Sequence, residues 1–143
     1  MDGLWGQKLK AKKILVVDDD SIVLESCRRV LQEEGYRVSL LKSAHEAIEL
    51  LEEEYFDLLV LDVKMPEKDG VYLMEKIREK WDLKIWPELP VLVMSGYPTP
   101  DTIKEMMIRG ARQFISKPFT PDELLTAVKK VLERRKKNES SSD

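Results

Sequence analysis

A length of 143 residues and a 43% hydrophobic share suit one domain with one core, and leave too few residues for a second domain of any size. Charged residues make up 36% of the chain but nearly cancel, to a formal net charge of -3, so neither direct nucleic-acid binding nor attraction to an anionic membrane is expected. One cysteine, Cys27, excludes an internal disulfide framework, and with one histidine, His45, no Cys/His metal site can be assembled.

The chain opens on MDGLWGQKLKAKK, where lysines are followed by no apolar run of signal-peptide length. No later stretch approaches 18 apolar residues, so a cytoplasmic location is expected. Residues 1–12 read as a tail. The first strand, Ile14 to Val17, is followed by Asp18, Asp19 and Asp20. A helix follows, with Val23, Cys27, Val30 and Leu31 on one stripe, and stops at Gly35, where a residue without Cβ can take the left-handed turn. Tyr36 to Leu41 is the second strand. Ser43 and Glu46 form a capping box ahead of Ala47, Ile48 and Leu51. The third strand, Asp57 to Leu61, runs into Asp62.

Leu73, Met74 and Ile77 mark the third helix. Trp81 and Trp86, just before Pro87, are read as half-buried packing rather than as a docking patch. Pro90 to Met94 is the fourth strand and leads into Ser95. Thr99-Pro100 then starts a helix carrying Ile103 and Met107. The fifth strand, Arg112 to Ile115, is followed by Lys117. Thr120 as N-cap, Pro121 at the first helical position and Glu123 precede Leu124, Leu125, Val128, Val131 and Leu132. The basic run Lys129 to Lys137 is a solvated helix end that suits the C-terminal dipole. Residues 13–137 thus form one domain, and 138–143 read as a disordered polar tail.

Three strands, ILVV, LLVL and VLVM, are apolar without alternation, as strands covered on both faces require. The βα alternation, repeated five times, then predicts an α/β fold: a flavodoxin-like doubly wound (βα)5 domain with a five-stranded parallel sheet in the order 2-1-3-4-5. In such a sheet ligands bind beyond the carboxyl ends of the strands, at the switch point between the first and third. That rule gathers Asp18, Asp19, Asp62, Ser95 and Lys117. Carboxylates on adjacent strand ends repel by roughly 4 kcal/mol per pair at 4 Å and an effective dielectric near 20. A hard divalent cation answers that repulsion, and Mg²⁺ suits a site that must also take a phosphate oxygen. A carboxylate beside Mg²⁺ and an ammonium group is equipped to attack a phosphoryl donor.

The segments ILVVDDD, LLVLDVKMPEKDG, VLVMSGY and FISKPF, in this order and each at a strand end, resemble the receiver domain of two-component response regulators over about Lys13 to Lys136. The resemblance implies that Asp62 is the phosphoacceptor, that Asp19 and Asp62 bind Mg²⁺ directly, and that Asp18 acts mainly through a bound water. It adds the backbone carbonyl of Lys64 to the metal shell and pairs Lys117 with the phosphoryl group. Ser95 is then the switch hydroxyl, and the peptide from Lys117 to Pro118 is cis. The second switch residue is Phe114, an aromatic without the tyrosine hydroxyl, so its message rests on packing. Lys64 and Tyr97 fall at positions that tune phosphoryl lifetime. Asp20 lies outside the acid pair and reads as solvated or as a helix cap.

By the same resemblance the domain is a phosphoacceptor switch rather than an enzyme. Its donor is a sensor histidine kinase or a phosphotransfer protein, and the surface of the fourth helix, fifth strand and fifth helix changes affinity for a downstream target, with homodimerisation through that surface as one outcome. An aspartate-nucleophile phosphohydrolase commonly carries a second Asp two residues after the nucleophile, where this chain has Lys64. A scaffold that keeps the fold but not the chemistry, and a receiver belonging to a longer regulator with a DNA-binding or catalytic output domain, stay open.

Overall fold

Apolar β-branched and leucine-rich runs of four or five residues, separated by capped helices, give ten elements in strict alternation. They are β1 (Lys13–Val17), α1 (Ser21–Glu33), β2 (Arg37–Leu41), α2 (Ala44–Glu53), β3 (Leu58–Asp62), α3 (Asp69–Asp82), β4 (Val91–Ser95), α4 (Pro100–Ile108), β5 (Gln113–Ser116) and α5 (Pro121–Ser141). The computed structural model describes residues 11–63, 69–96 and 99–141, side chains at 69 and 134–141 excepted. All strand pairs are parallel and the order is β2-β1-β3-β4-β5, as the alternation predicts.

β3 and β4 are buried along their whole length, which is why LLVL and VLVM show no alternation. Successive side chains feed two cores, one on each face of the sheet. Leu15, Val17, Leu59, Leu61 and Val93 pack with Ala47, Leu73, Ile77 and Met106, under α2, α3 and α4. Ile14, Val16, Val60 and Met94 pack with Cys27, Leu31, Leu124 and Val128, under α1 and α5.

The helix ends follow local chemistry. Asp20 caps α1, its carboxylate accepting the Ile22 N–H at 2.8 Å. Ser43 caps α2 by accepting the Glu46 N–H, and Thr99 caps α4 by accepting the Thr102 N–H. At α5 the box is reciprocal: Glu123 accepts the Thr120 N–H at 2.9 Å and Thr120 accepts the Glu123 N–H at 3.1 Å. Gly35, at φ +95°, ends α1 with its own N–H on the Gln32 carbonyl and the Tyr36 N–H on that of Leu31.

Two stripes differ from the periodic reading. α1 buries Leu24, Cys27 and Leu31, with Val23 and Val30 only packed alongside. α4 buries Met106 and leaves Met107 45% exposed. Positions three and four apart are both helical neighbours, and the tilt of the helix on the sheet chooses between them. α5 runs to Ser141, past the start of the expected 138–143 tail; no proline or glycine interrupts it, and Glu, Lys and Arg are good helix formers.

Candidate functional site

The carboxyl ends of β1, β3, β4 and β5 meet at one edge of the sheet. Asp18 directly follows β1, Asp62 ends β3, Ser95 ends β4 and Lys117 directly follows β5. Parallel register sets their heights: Val17 pairs with Leu61, Asp62 with Met94 and Ser95 with Ser116. The backbone locks the edge further, the Asp18 N–H donating to the Leu41 carbonyl at 3.1 Å and the Lys117 N–H to the Ser95 carbonyl at 2.8 Å. The Lys117-Pro118 peptide is cis.

Among the described residues the buried polar side chains are Asp18 at 0%, Asp62 at 4% and Ser95 at 0% exposure, all at this edge. Acids are almost never buried without partners. The Lys117 ammonium donates to Asp18 Oδ2 at 2.5 Å and stands 3.4 Å from Asp62 Oδ2. Asp18 Oδ1 accepts the Asp20 N–H at 2.9 Å, so both oxygens of Asp18 are engaged within the protein. Asp19 is exposed, and Asp18, Asp19 and Asp62 each place one oxygen within 4.8 Å of the others.

The charges oppose one another. Burial pushes the Asp18 carboxyl above its usual range; Lys117 and the Asp20 amide pull it back, and neighbouring Asp62 pushes it up again. Burial alone would lower the Lys117 ammonium, but the hydrogen bond and charge of Asp18, with Asp62, outweigh it and hold Lys117 above its ordinary value. One ammonium therefore stands against two of three clustered carboxyl groups. That donor set, all hard oxygens and short of positive charge, fits a divalent cation such as Mg²⁺.

Sequence reasoning did not single out Gly70, which α3 sets against the end of β3. A Cβ there would stand 2.8 Å from Val63 Cα and 2.9 Å from the Asp62 carbonyl oxygen, closer than real Cβ atoms approach backbone. Only glycine lets the start of α3 lie directly on the peptide that follows Asp62. The signal was the DG pair closing LLVLDVKMPEKDG. Phe114 lies on β5 opposite Val93, partly buried against the α4 side of the sheet rather than among the site's polar groups. Lys64 and Tyr97 lie outside the described residues. His45 is away from this edge, paired with Glu49 on α2 at 3.3 Å.

Comparison with known proteins agrees with this geometry. A family-wide profile described as the response regulator receiver domain matches residues 14–129. Response regulator MprA of Mycobacterium leprae is 36% identical over 132 residues, covering 90% of this chain and 54% of that protein. The alginate biosynthesis transcriptional regulatory protein AlgB of Pseudomonas aeruginosa is 35% identical over 126 residues, 88% of this chain and 27% of that one. The chain thus spans about half the length of MprA and less of AlgB. Among solved structures, a CheY-like receiver domain protein from Methanospirillum hungatei superposes with a TM-score of 0.79 at 32% identity, covering 90% of this chain and 99% of that one. NtrX of Brucella abortus gives 0.84 at 31% identity, over 93% of this chain and 29% of its own.

Proposed function

Because the chain belongs to the response regulator receiver domain family, we propose that Asp62 is its phosphoacceptor and that the edge around it is a Mg²⁺-dependent phosphorylation switch. The observation that carries this reading is the convergence of Asp62 with two further acids and one ammonium at the switch point of the sheet, 3.4 Å from Lys117 Nζ. Asp19 and Asp62 would hold the ion directly. Asp18, with both oxygens already engaged, would act through water, and the backbone carbonyl of Lys64 would complete the protein's share. When bound there, the ion offsets negative charge on the phosphoryl oxygens.

In the transfer, a carboxylate oxygen of Asp62 forms a bond to phosphorus while the P–N bond of a partner's phosphohistidine breaks, and its electron pair stays on the leaving imidazole. The product is an acyl phosphate on Asp62. Lys117 reorients from the carboxylates toward the incoming phosphoryl group, and the Ser95 hydroxyl hydrogen-bonds one of its oxygens. Phe114, packed beside α4, follows by rotation and repacks the α4-β5-α5 surface for its target or for a second copy. Reversing a 1:99 population to 99:1 needs about 5.5 kcal/mol of preference for the active state. The donor is a sensor histidine kinase or phosphotransfer protein of the cytoplasm. The protein at most assists its own phosphorylation and dephosphorylation and turns over no substrate. No helix among the described residues is long and apolar enough to cross a membrane.

Incubation with Mg²⁺ and a small phosphodonor or beryllofluoride tests the reading. One phosphoryl group, or one beryllofluoride adduct, per chain is expected on the wild type and none on Asp62→Asn; undiminished labelling of that variant would overturn it. A second reading is favoured by the relatives' greater lengths: the domain regulates a DNA-binding or catalytic output domain in a longer regulator. The length of the native reading frame decides that point.

A further inference from the structure

At the end of the sheet opposite the acidic edge lies a cleft of about 240 Å³ between the α2-β3 turn and the segment joining α3 to β4. It is smaller than sites that enclose a drug-sized molecule, and of a size for one or two side chains. Its walls are aromatic and acidic. Tyr55, Phe56, Ile85 and Trp86 supply apolar surface, with Ile85 56% and Tyr55 46% exposed. Glu52, Glu53, Glu54 and Glu88 rim it. Glu54 pairs with Lys13 at 2.7 Å and Glu88 with Arg112 at 2.6 Å, whereas Glu52 and Glu53 have no ion pair among the described residues.

β1 starts at the rim of this cleft. Lys13 binds Glu54 and stands 4.9 Å over the Phe56 ring, and its N–H donates to Asp57. The described chain therefore begins close to the cleft's own edge. The sequence ahead of it, MDGLWGQKLK, complements the cleft: Leu4 and Trp5 are apolar and bulky, while Lys8 and Lys10, with the exposed Lys12, outnumber the single acid Asp2. Lys12 is seven steps along the chain from Trp5, a reach of up to about 23 Å when extended.

We propose that the Leu4 to Lys10 segment folds back onto its own domain, seating Trp5 among Tyr55, Ile85 and Trp86 while its lysines face Glu52 and Glu53. Tethering makes a modest contact sufficient. A short flexible linker holds its ligand at an effective concentration of the order of millimolar, so an intrinsic affinity somewhat tighter than that keeps the cleft filled. The occupant comes from the same chain because charge, apolar content and point of departure coincide there. The cleft lies at the opposite end of β3 from Asp62.

The full-length protein carrying 5-fluorotryptophan gives three ¹⁹F signals, from Trp5, Trp81 and Trp86. Expected is a Trp5 signal displaced from that of the free peptide Met1–Lys12 and independent of protein concentration. Trp5→Phe should shift the Trp86 signal and leave that of Trp81, which does not line the cleft. Glu52→Lys with Glu53→Lys should return the Trp5 signal to the peptide position. A wild-type Trp5 signal already at that position overturns the proposal and leaves the cleft to another partner. A displacement that grows with protein concentration overturns it in favour of a second copy as occupant.

Discussion

Asp18 is the residue under the greatest electrostatic tension. It is fully buried, touches Lys117, and still has a raised pKa because its own desolvation and the charge of Asp62 outweigh the Lys117 and Asp20 N–H contacts. The same environment reaches Cys27, whose thiol is pushed from 9.0 up to about 12 by burial first and then by Asp18. The folded state therefore keeps a proton that the unfolded chain loses, so between pH 9 and 12 Cys27 makes stability fall as pH rises. At pH 8 the native thiol should be inert. Alkylation by iodoacetamide is expected to be at least about 100-fold slower in native protein than in urea, since the thiolate is the reacting species. Comparable rates measured by mass spectrometry would contradict this, and would remove the assignment of Cys27 as packing.

Among the elements, α3 ends at the one non-glycine left-handed position in the described residues. Its end repeats the hydrogen bonding seen after α1, with the Lys84 N–H on the Trp81 carbonyl and the Ile85 N–H on that of Lys80, but the left-handed position holds Lys84 at φ 60° instead of glycine. A side chain with Cβ loses roughly 1 kcal/mol or more there, part of which returns as lower unfolded-state entropy. Lys84→Gly should raise stability by about 0.5–1 kcal/mol. The urea midpoint is expected to rise with an unchanged m value; an unchanged or lower midpoint would refute the strain. This end also shapes the wall formed by Ile85 and Trp86. Trp86 packs against the core as expected from its half-buried setting, while Trp81 stays exposed.

For the whole molecule, an acidic edge that could hold a metal would couple folding to its binding. Lys117 pairs with Asp18 and Asp62, Asp19 lies close by, and the unfolded chain scatters all three acids, so an ion that binds only the folded arrangement would stabilise it by mass action. Mg²⁺ at ten times its Kd should add about 1.4 kcal/mol, a rise of roughly 4 °C in Tm for a domain of this size. Calorimetry should show that rise in the wild type and its loss in Asp19→Ala, whose exposed carboxylate has no ion pair among the described residues. A rise retained in that variant would place the ion elsewhere.

The amino-acid sequence by itself determined the alternation of elements, the strand order and which acids, serine and lysine gather at the carboxyl edge of the sheet. These are encoded locally: unbroken apolar runs mark doubly covered strands, Thr120 with Glu123 and Ser43 with Glu46 mark helix starts, and the polar residue after each run falls at the carboxyl edge. Tertiary structure decided the rest. Lys117 meets Asp18 across 99 positions of sequence, and no local pattern reports that distance or the engagement of both Asp18 oxygens. The choice of Met106 over Met107 depends on how α4 tilts, the need for Gly70 on how closely α3 approaches the Asp62 carbonyl, and the acidic aromatic cleft on two turns remote in sequence. Periodicity specifies which face of an element is apolar; only packing specifies what that face meets.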